Sequence, residues 1–256
     1  MSGKQPQGDE GGTWPALEAE LDAWARADLT ARFWWRDDDA TRPGPLLDRL
    51  LEAAGAVPIA LAVIPAQAEA SLADLVAERG RYAGGVQVLQ HGFAHVNHSP
   101  SGAKKAEFGD HRTLETMLDE LAEGRRIMEA LFGEAFEPIL TPPWNRVGDG
   151  VARNLAQTGL QGLSRFGPRG PDEGDRVVNT HIDIIDWHGG RGFAGESLAL
   201  GAAIAHLAAR RTGAGDMGEP TGLLTHHRDH DEACWEFVAR FRAAIESHPA
   251  AQWVSP

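Results

Sequence analysis

Short apolar runs alternate along this chain with stretches of helical period, and that alternation leaves few folds open. Runs at 32–36, 57–64, 86–90, 136–140, 160–165, 177–185, 222–225 and 253–254 read as strands. Helices are expected near 45–54, 71–78, 113–131, 150–157, 197–210 and 232–247. An amphipathic entry helix is expected from Trp14, with Leu17, Leu21 and Trp24 at spacings of four and three. Pro65 closes one run and Gly133 stops the longest helix. Seven or eight strands alternating with helices predict a parallel α/β sheet, either a barrel or a doubly wound one. No repeat or Pro/Ser-rich linker divides the chain. One domain over 13–256 is therefore expected, after a polar, Gly-rich, disordered leader over 1–12.

Composition removes several functions. The 24 Lys and Arg face 37 Asp and Glu, a net charge of −13. That balance argues against nucleic acid, whose binding rests on phosphate neutralisation, and against an anionic membrane surface. Cys234 is the only cysteine, so neither an intramolecular disulfide nor a cysteine-based zinc cage can form. It lies in an apolar helical stretch and reads as packing. No run of about 18 apolar residues exists for a membrane span. The first fifteen residues lack the apolar segment of a signal peptide. A soluble, cytoplasmic protein is the expectation.

The residues able to do chemistry gather where the apolar runs end. Asp37, Asp38 and Asp39 follow the first run, and His91 and His95 the third. Pro142, Pro143, Trp144 and Asn145 follow 136–140, Asp186 and Trp187 follow 177–185, and His226 and His227 follow Leu224. Ligands of parallel α/β folds bind at the C-terminal strand ends, where the loops converge. Five such ends point to one shared site. Three acids beside Phe33, Trp34 and Trp35 would repel one another without a cation, although an isolated acidic triplet is more often a solvated turn. The HxxxH spacing of His91 and His95 puts two imidazoles on one side of a tight loop around Gly92. With one carboxylate they would make a three-ligand site open to water and substrate. In 226–232 the later residues read as a helix start, capped by Asp229 or Asp231, which leaves His226 as the better catalytic candidate. His98 and His111 read as surface residues. No GxSxG nucleophile elbow is present.

These residues resemble the polysaccharide deacetylases, carbohydrate esterase family 4, and look closest to its divergent members. The resemblance covers about 32–254 through five short motifs in the family's order. They are Arg36-Asp37-Asp38-Asp39-Ala40, His91-Gly92-Phe93-Ala94-His95, Thr141-Pro142-Pro143-Trp144, Asp186-Trp187 and Leu224-Thr225-His226. It implies a distorted (β/α) barrel of about seven strands holding one divalent metal, usually zinc (Zn2+). Carried over by position, Asp39, His91 and His95 would ligate the metal. Asp38 would be the general base, His226 the general acid, and Asp186 would tune His226. The Trp144 N–H would help hold the oxyanion. Trp187 and Leu224 would wall the acyl pocket, with Pro143, Asn145 and Arg146 also facing substrate.

The motifs depart from the family in two places. Thr141 stands where the family has an arginine paired with the base, and Arg36 or Arg146 would have to supply that charge. The third acid leaves two registers open, Asp38 with Asp39 or Asp37 with Asp38; the later pair puts Ala40 where the family has a small residue. The expected activity is removal of an acetyl group from a small or lipid-linked N-acetylated sugar. The alternatives are hydrolysis of a non-sugar amide or an O-acetyl ester, or a carbohydrate-binding barrel without catalysis.

Overall fold

A computed structural model describes residues 11–80 and 84–256. Helix α1 (Trp14–Arg26) starts at Thr13, whose hydroxyl accepts from the N–H of Ala16. The remaining elements are β1 (Ala31–Ala40), α2 (Pro45–Ala54), β2 (Ile59–Val63), α3 (Ala70–Arg79), β3 (Val86–His91), α4 (Leu114–Phe132), β4 (Phe136–Thr141), α5 (Asp149–Asn154), β5 (Gly162–Leu163), β6 (Ile182–Asp183), α6 (Glu196–Thr212), β7 (Thr221–Thr225), α7 (Glu232–Ser247) and β8 (Ala251–Trp253). Of the leader expected over 1–12, residues 1–10 lie outside the described residues. The N–H of Gly12 donates to the carbonyl of Ser197 on α6.

The strands lie in the order β5-β4-β3-β2-β1-β7-β6, all parallel, and β8 pairs with the start of β1. Parallel bridges Leu163–Val177 and Phe166–Thr180 join the far edge back toward β6. The sheet therefore curls into the expected distorted barrel. The run 177–185 does not form one strand. Its first half bridges the β5 side, and only Ile182 and Asp183 pair with β7. The reason lies in Asn179 and His181, which serve neighbouring backbone: Asn179 accepts from the N–H of Arg165, and His181 Nδ1 accepts from the N–H of Gly222.

Alternation along β1 decides which side chains meet the barrel interior. Trp34 packs inside with Ala60, Ala62, Leu89 and Val178, whereas Phe33 and Trp35 join the outer core beneath the helices. Gly222 is required beside Trp34: a Cβ there would lie 2.4 Å from the indole nitrogen and 2.6 Å from the Asn179 carbonyl. Trp24, Cys234 and Trp235 are buried in the outer core.

Candidate metal centre and acid–base pair

Strand alternation carries Arg36 and Asp38 inward after Trp34, and turns Asp37 to the outer face. There Asp37 accepts from the hydroxyl of Thr225 (2.7 Å), the N–H of His227 (3.0 Å) and His227 Nδ1 (2.5 Å). Burial opposes ionisation of Asp37, but the imidazole of His227 holds its carboxyl below the usual range. Asp39 should then follow Asp37 outward. Instead the register of β1 against β2 shifts between Asp37 and Ala40, and Asp39 adopts φ +72°. This irregularity brings two successive acids, Asp38 and Asp39, to the mouth, and of the two registers left open it is the later pair that meets the histidines.

Asp39 Oδ1 lies 3.2 Å from His91 Nε2 and 3.3 Å from His95 Nε2. His95 reaches it because the chain leaves β3 through Gly92 at φ +58° and His95 itself at φ +59°. Such a backbone costs a non-glycine residue of order 1 kcal/mol or more, so other contacts must hold it. Gly92 also lies against Pro143, where a Cβ would be 2.6 Å from Cδ. His91 Nδ1 lies 3.0 Å from the carbonyl of Thr141, an acceptor only, so Nδ1 carries the proton. In the neutral ring the Nε2 lone pair then faces a carboxylate oxygen, an arrangement that calls for a cation between them. Asp39 Oδ1 is buried and has no hydrogen-bond partner. Burial works against the charge of Asp39, while His91 and its neighbours hold the carboxyl well below the ordinary range. His91 is likewise buried, and the charges of Asp38 and Asp39 raise its pKa; burial and His91 lower that of His95. The two separations from Asp39 Oδ1 match the edge of a tetrahedron around an ion with bonds of about 2.0–2.1 Å, and all three donor atoms lie within 4.8 Å of one another. The three side chains fit a divalent ion.

Asp38 is held differently. Arg36, fully buried, grips it with Nε at 2.8 Å from Oδ1 and Nη2 at 3.0 Å from Oδ2. The same guanidinium donates to Ser164 Oγ and Asn145 Oδ1, each at 2.7 Å. Arg36 thus stands beside the carboxylate where Thr141 brings no charge, whereas Arg146 is exposed and donates to the carbonyl of Lys105. Asp38 Oδ2 lies 3.8 Å from His226 Nε2.

Around this centre Trp144 follows β4 at φ +57°, and its ring lies 4.5 Å from that of His95. Asn145 is spent on Arg36, and Pro143 is buried against Gly92. Trp187, 38% exposed, meets the His226 ring edge-on at 4.6 Å. Leu224 is fully buried, level with Arg36 in the β1–β7 register. Asp186, expected to tune His226, makes no ion pair with it among the described residues. Its Oδ1 accepts from the N–H groups of His188 and Gly189 and closes a turn. Asp183, three residues earlier, accepts from Trp187 Nε1 at 2.8 Å and so holds the ring that meets His226. Burial pushes the Asp183 carboxyl up, against the pull of His226. The spacing Asp183-x-x-Asp186 was its only trace in the sequence. As expected, His98 and His111 are exposed, and Asp231 caps α7 through the N–H of Cys234.

A second group of metal-ligand type, His181, His206 and Glu219, lies at the other end of the strands and left no motif in the sequence. It does not fit an ion. His181 Nδ1 accepts the N–H of Gly222, so Nε2 carries the proton and has no lone pair to give.

No family model and no curated protein matches the sequence. Similarity appears in the fold. A family 4 acetyl xylan esterase from Clostridium thermocellum, solved with a cobalt ion, superposes with a TM-score of 0.51 at 13% identity, covering 87% of each chain. A family 4 carbohydrate esterase from Streptomyces lividans, solved with acetate, gives 0.51 at 14% over 84% of this chain and 88% of its own. An esterase of the same family from Streptococcus mutans gives 0.53 at 11%, over 96% and 91%. The barrel of this chain is the fold of the polysaccharide deacetylases and family 4 carbohydrate esterases.

Proposed function

We propose that this protein is a metal-dependent hydrolase that removes an acetyl group from an N-acetylated sugar or sugar derivative. The observation that carries the reading is one mouth holding a three-ligand cluster beside an Asp–His pair, with Asp38 and His226 at 3.8 Å. Asp39, His91 and His95 would hold a single divalent ion, Zn2+ by the match of its nitrogen and oxygen donors. Such an ion polarises an acyl oxygen and makes water acidic enough to attack near neutral pH.

The chain's own groups then divide the work. Asp38 takes the proton of the attacking water, with Arg36 fixing its orientation. His226 hands a proton to the departing amine, which would otherwise leave slowly. Asp183, through Trp187, sets the environment of His226. The N–H of Trp144 stabilises the oxyanion, a contribution of roughly 3–4 kcal/mol for a well-placed donor. Trp187 and Leu224 enclose the acyl methyl, and Pro143, Asn145 and Arg146 line the approach. Residues 13–256 act as one catalytic unit. No described helix is long and apolar enough to cross a membrane, and we assign the work to the cytoplasm, on a small or lipid-linked sugar.

The esterases among the structural neighbours favour one second reading, an O-acetyl ester as substrate. The deciding experiment measures bound metal in the purified protein and acetate release from N-acetylated and O-acetylated sugars. One equivalent of divalent metal with release from the amides supports the first reading, and release from the esters alone supports the second. Failure to bind any added divalent ion would sink both.

A further inference from the structure

We infer that Glu107 is the positioning residue of the metal-ligand loop, fixing His95 by accepting the backbone amides on both sides of it. The inference rests on the assignment of Asp39, His91 and His95 as ligands. The loop that follows β3 is irregular, so every backbone group in it needs a partner from elsewhere. Its carbonyls are supplied by neighbours: Gln90 Nε2 donates to Gly92 O, the N–H of Ala66 to Phe93 O, and Gln67 Nε2 to Ala94 O. Its amides converge on one carboxylate. Glu107 Oε1 accepts from the N–H of Ala94 (2.8 Å) and of Val96 (3.3 Å), and Oε2 from that of Phe93 (3.1 Å).

Glu107 is 1% exposed, and no cationic side chain within ion-pair distance accompanies it among the described residues. A buried carboxylate in that position is tolerable only because three amides surround it. Its own place is rigid. The N–H groups of Ala106 and Ser99 share Asn97 Oδ1, Ala106 O accepts from the N–H of His98, and Phe108 O accepts from the N–H of Gly148 beyond β4. Gly92 records the same fit, since a Cβ there would lie 2.1 Å from Glu107 Oε2. His95 occupies its left-handed conformation between the two amides that Oε1 holds. Removing the carboxylate orphans both and frees the loop to relax away from Asp39.

The test titrates the full-length apo-protein with Zn2+ against a chelating dye, and with Co2+ by its visible spectrum. Wild type is compared with Glu107→Gln and Glu107→Ala, all well below the thermal midpoint of each apo-protein. Glu107→Gln keeps the volume and one acceptor oxygen but loses the charge and turns an NH2 group toward at least one of the three amides, so it covers the case in which the alanine variant fails to fold. Loss of a group that orients a metal ligand costs about 10–100-fold in metal affinity, and a weakening of that size with an altered Co2+ spectrum is expected in Glu107→Gln. A residue that only stabilises the fold would lower the apo midpoint and leave both readouts unchanged, and that result overturns the inference. Absence of metal binding in wild type would instead overturn the ligand assignment itself.

Discussion

Two places among the described residues gather two imidazoles and a carboxylate, at opposite ends of the same parallel strands. Only one can take an ion. At the C-terminal ends, His91 Nδ1 faces a carbonyl, which keeps the proton on that nitrogen and aims a lone pair at Asp39. At the N-terminal ends, His181 Nδ1 faces an amide, which puts the proton on Nε2, 3.3 Å from Glu219. The ring of His206 stacks on His181 at 3.4 Å, and the N–H of Arg169 also donates to Glu219. The basal group is a neutral histidine pair around an ionised carboxylate, with Arg169 and Arg210 close enough to repel a cation. Residue type does not separate the two groups; the backbone group opposite Nδ1 does.

The largest effect that can break this contrast is loss of the metal. His91→Ala should reduce bound divalent ion from one equivalent to none and abolish turnover. His181→Ala should keep one equivalent and cost about 1–3 kcal/mol of stability through the unpaired amide and carboxylate. Metal analysis beside thermal melts reads both, and metal lost from the basal variant but kept in His91→Ala would reverse the assignment.

Next in size comes the acid–base pair. His226→Ala should retain the metal and lower kcat by about 10²–10⁴. Asp183→Asn should lower kcat with little change in metal content, because Asp183 holds the Trp187 ring against His226, while Asp186→Asn should cost less, its carboxylate being spent on the 188–189 turn. Equal losses in the two aspartate variants would mean that the turn, rather than the charge near His226, controls the acid.

How much of this was legible beforehand depends on the range of the interaction involved. Helices α2 and α7 begin and end where period and capping residues put them, because those signals are local. The fused run 177–185 misled because apolar density cannot tell one strand from a segment that pairs first with one neighbour and then with another. At the site, the strand-end acids, histidines and indoles were visible. What chose between Asp37 and Asp39 was a register shift at the end of β1, which depends on β2. Asp183 and Glu107 sat unmarked, the first inside a strand run and the second in a polar loop, since their importance comes from backbone and side chains far along the chain. Arg36 stood open as one of two candidates until the bidentate contact with Asp38 separated it from Arg146.

The smallest expected effect sharpens the comparison through pH and leaves the mouth untouched. Burial lowers the pKa of His181 from 6.5 to about 4, and neighbouring imidazoles hold Glu219, against its burial, at about 2 rather than 4.5. Both folded-state values lie below their unfolded ones, so on acidification the unfolded chain takes up protons first. The stability that these groups contribute is complete above pH 6.5. It falls between 6.5 and 4 as His181 in the unfolded chain charges, and falls further between 4.5 and 2 through Glu219. His181→Asn offers an amide oxygen to the N–H of Gly222 but cannot titrate. Melting curves from pH 7 to 4 should therefore fall less steeply in the variant, by ~2 kcal/mol across that window, or roughly 4–8 °C for a chain of this size. Parallel curves would mean that His181 takes up its proton at the same pH in the folded and the unfolded chain, and an imidazole that charges freely there would remove the electrostatic distinction between the two ends of the barrel.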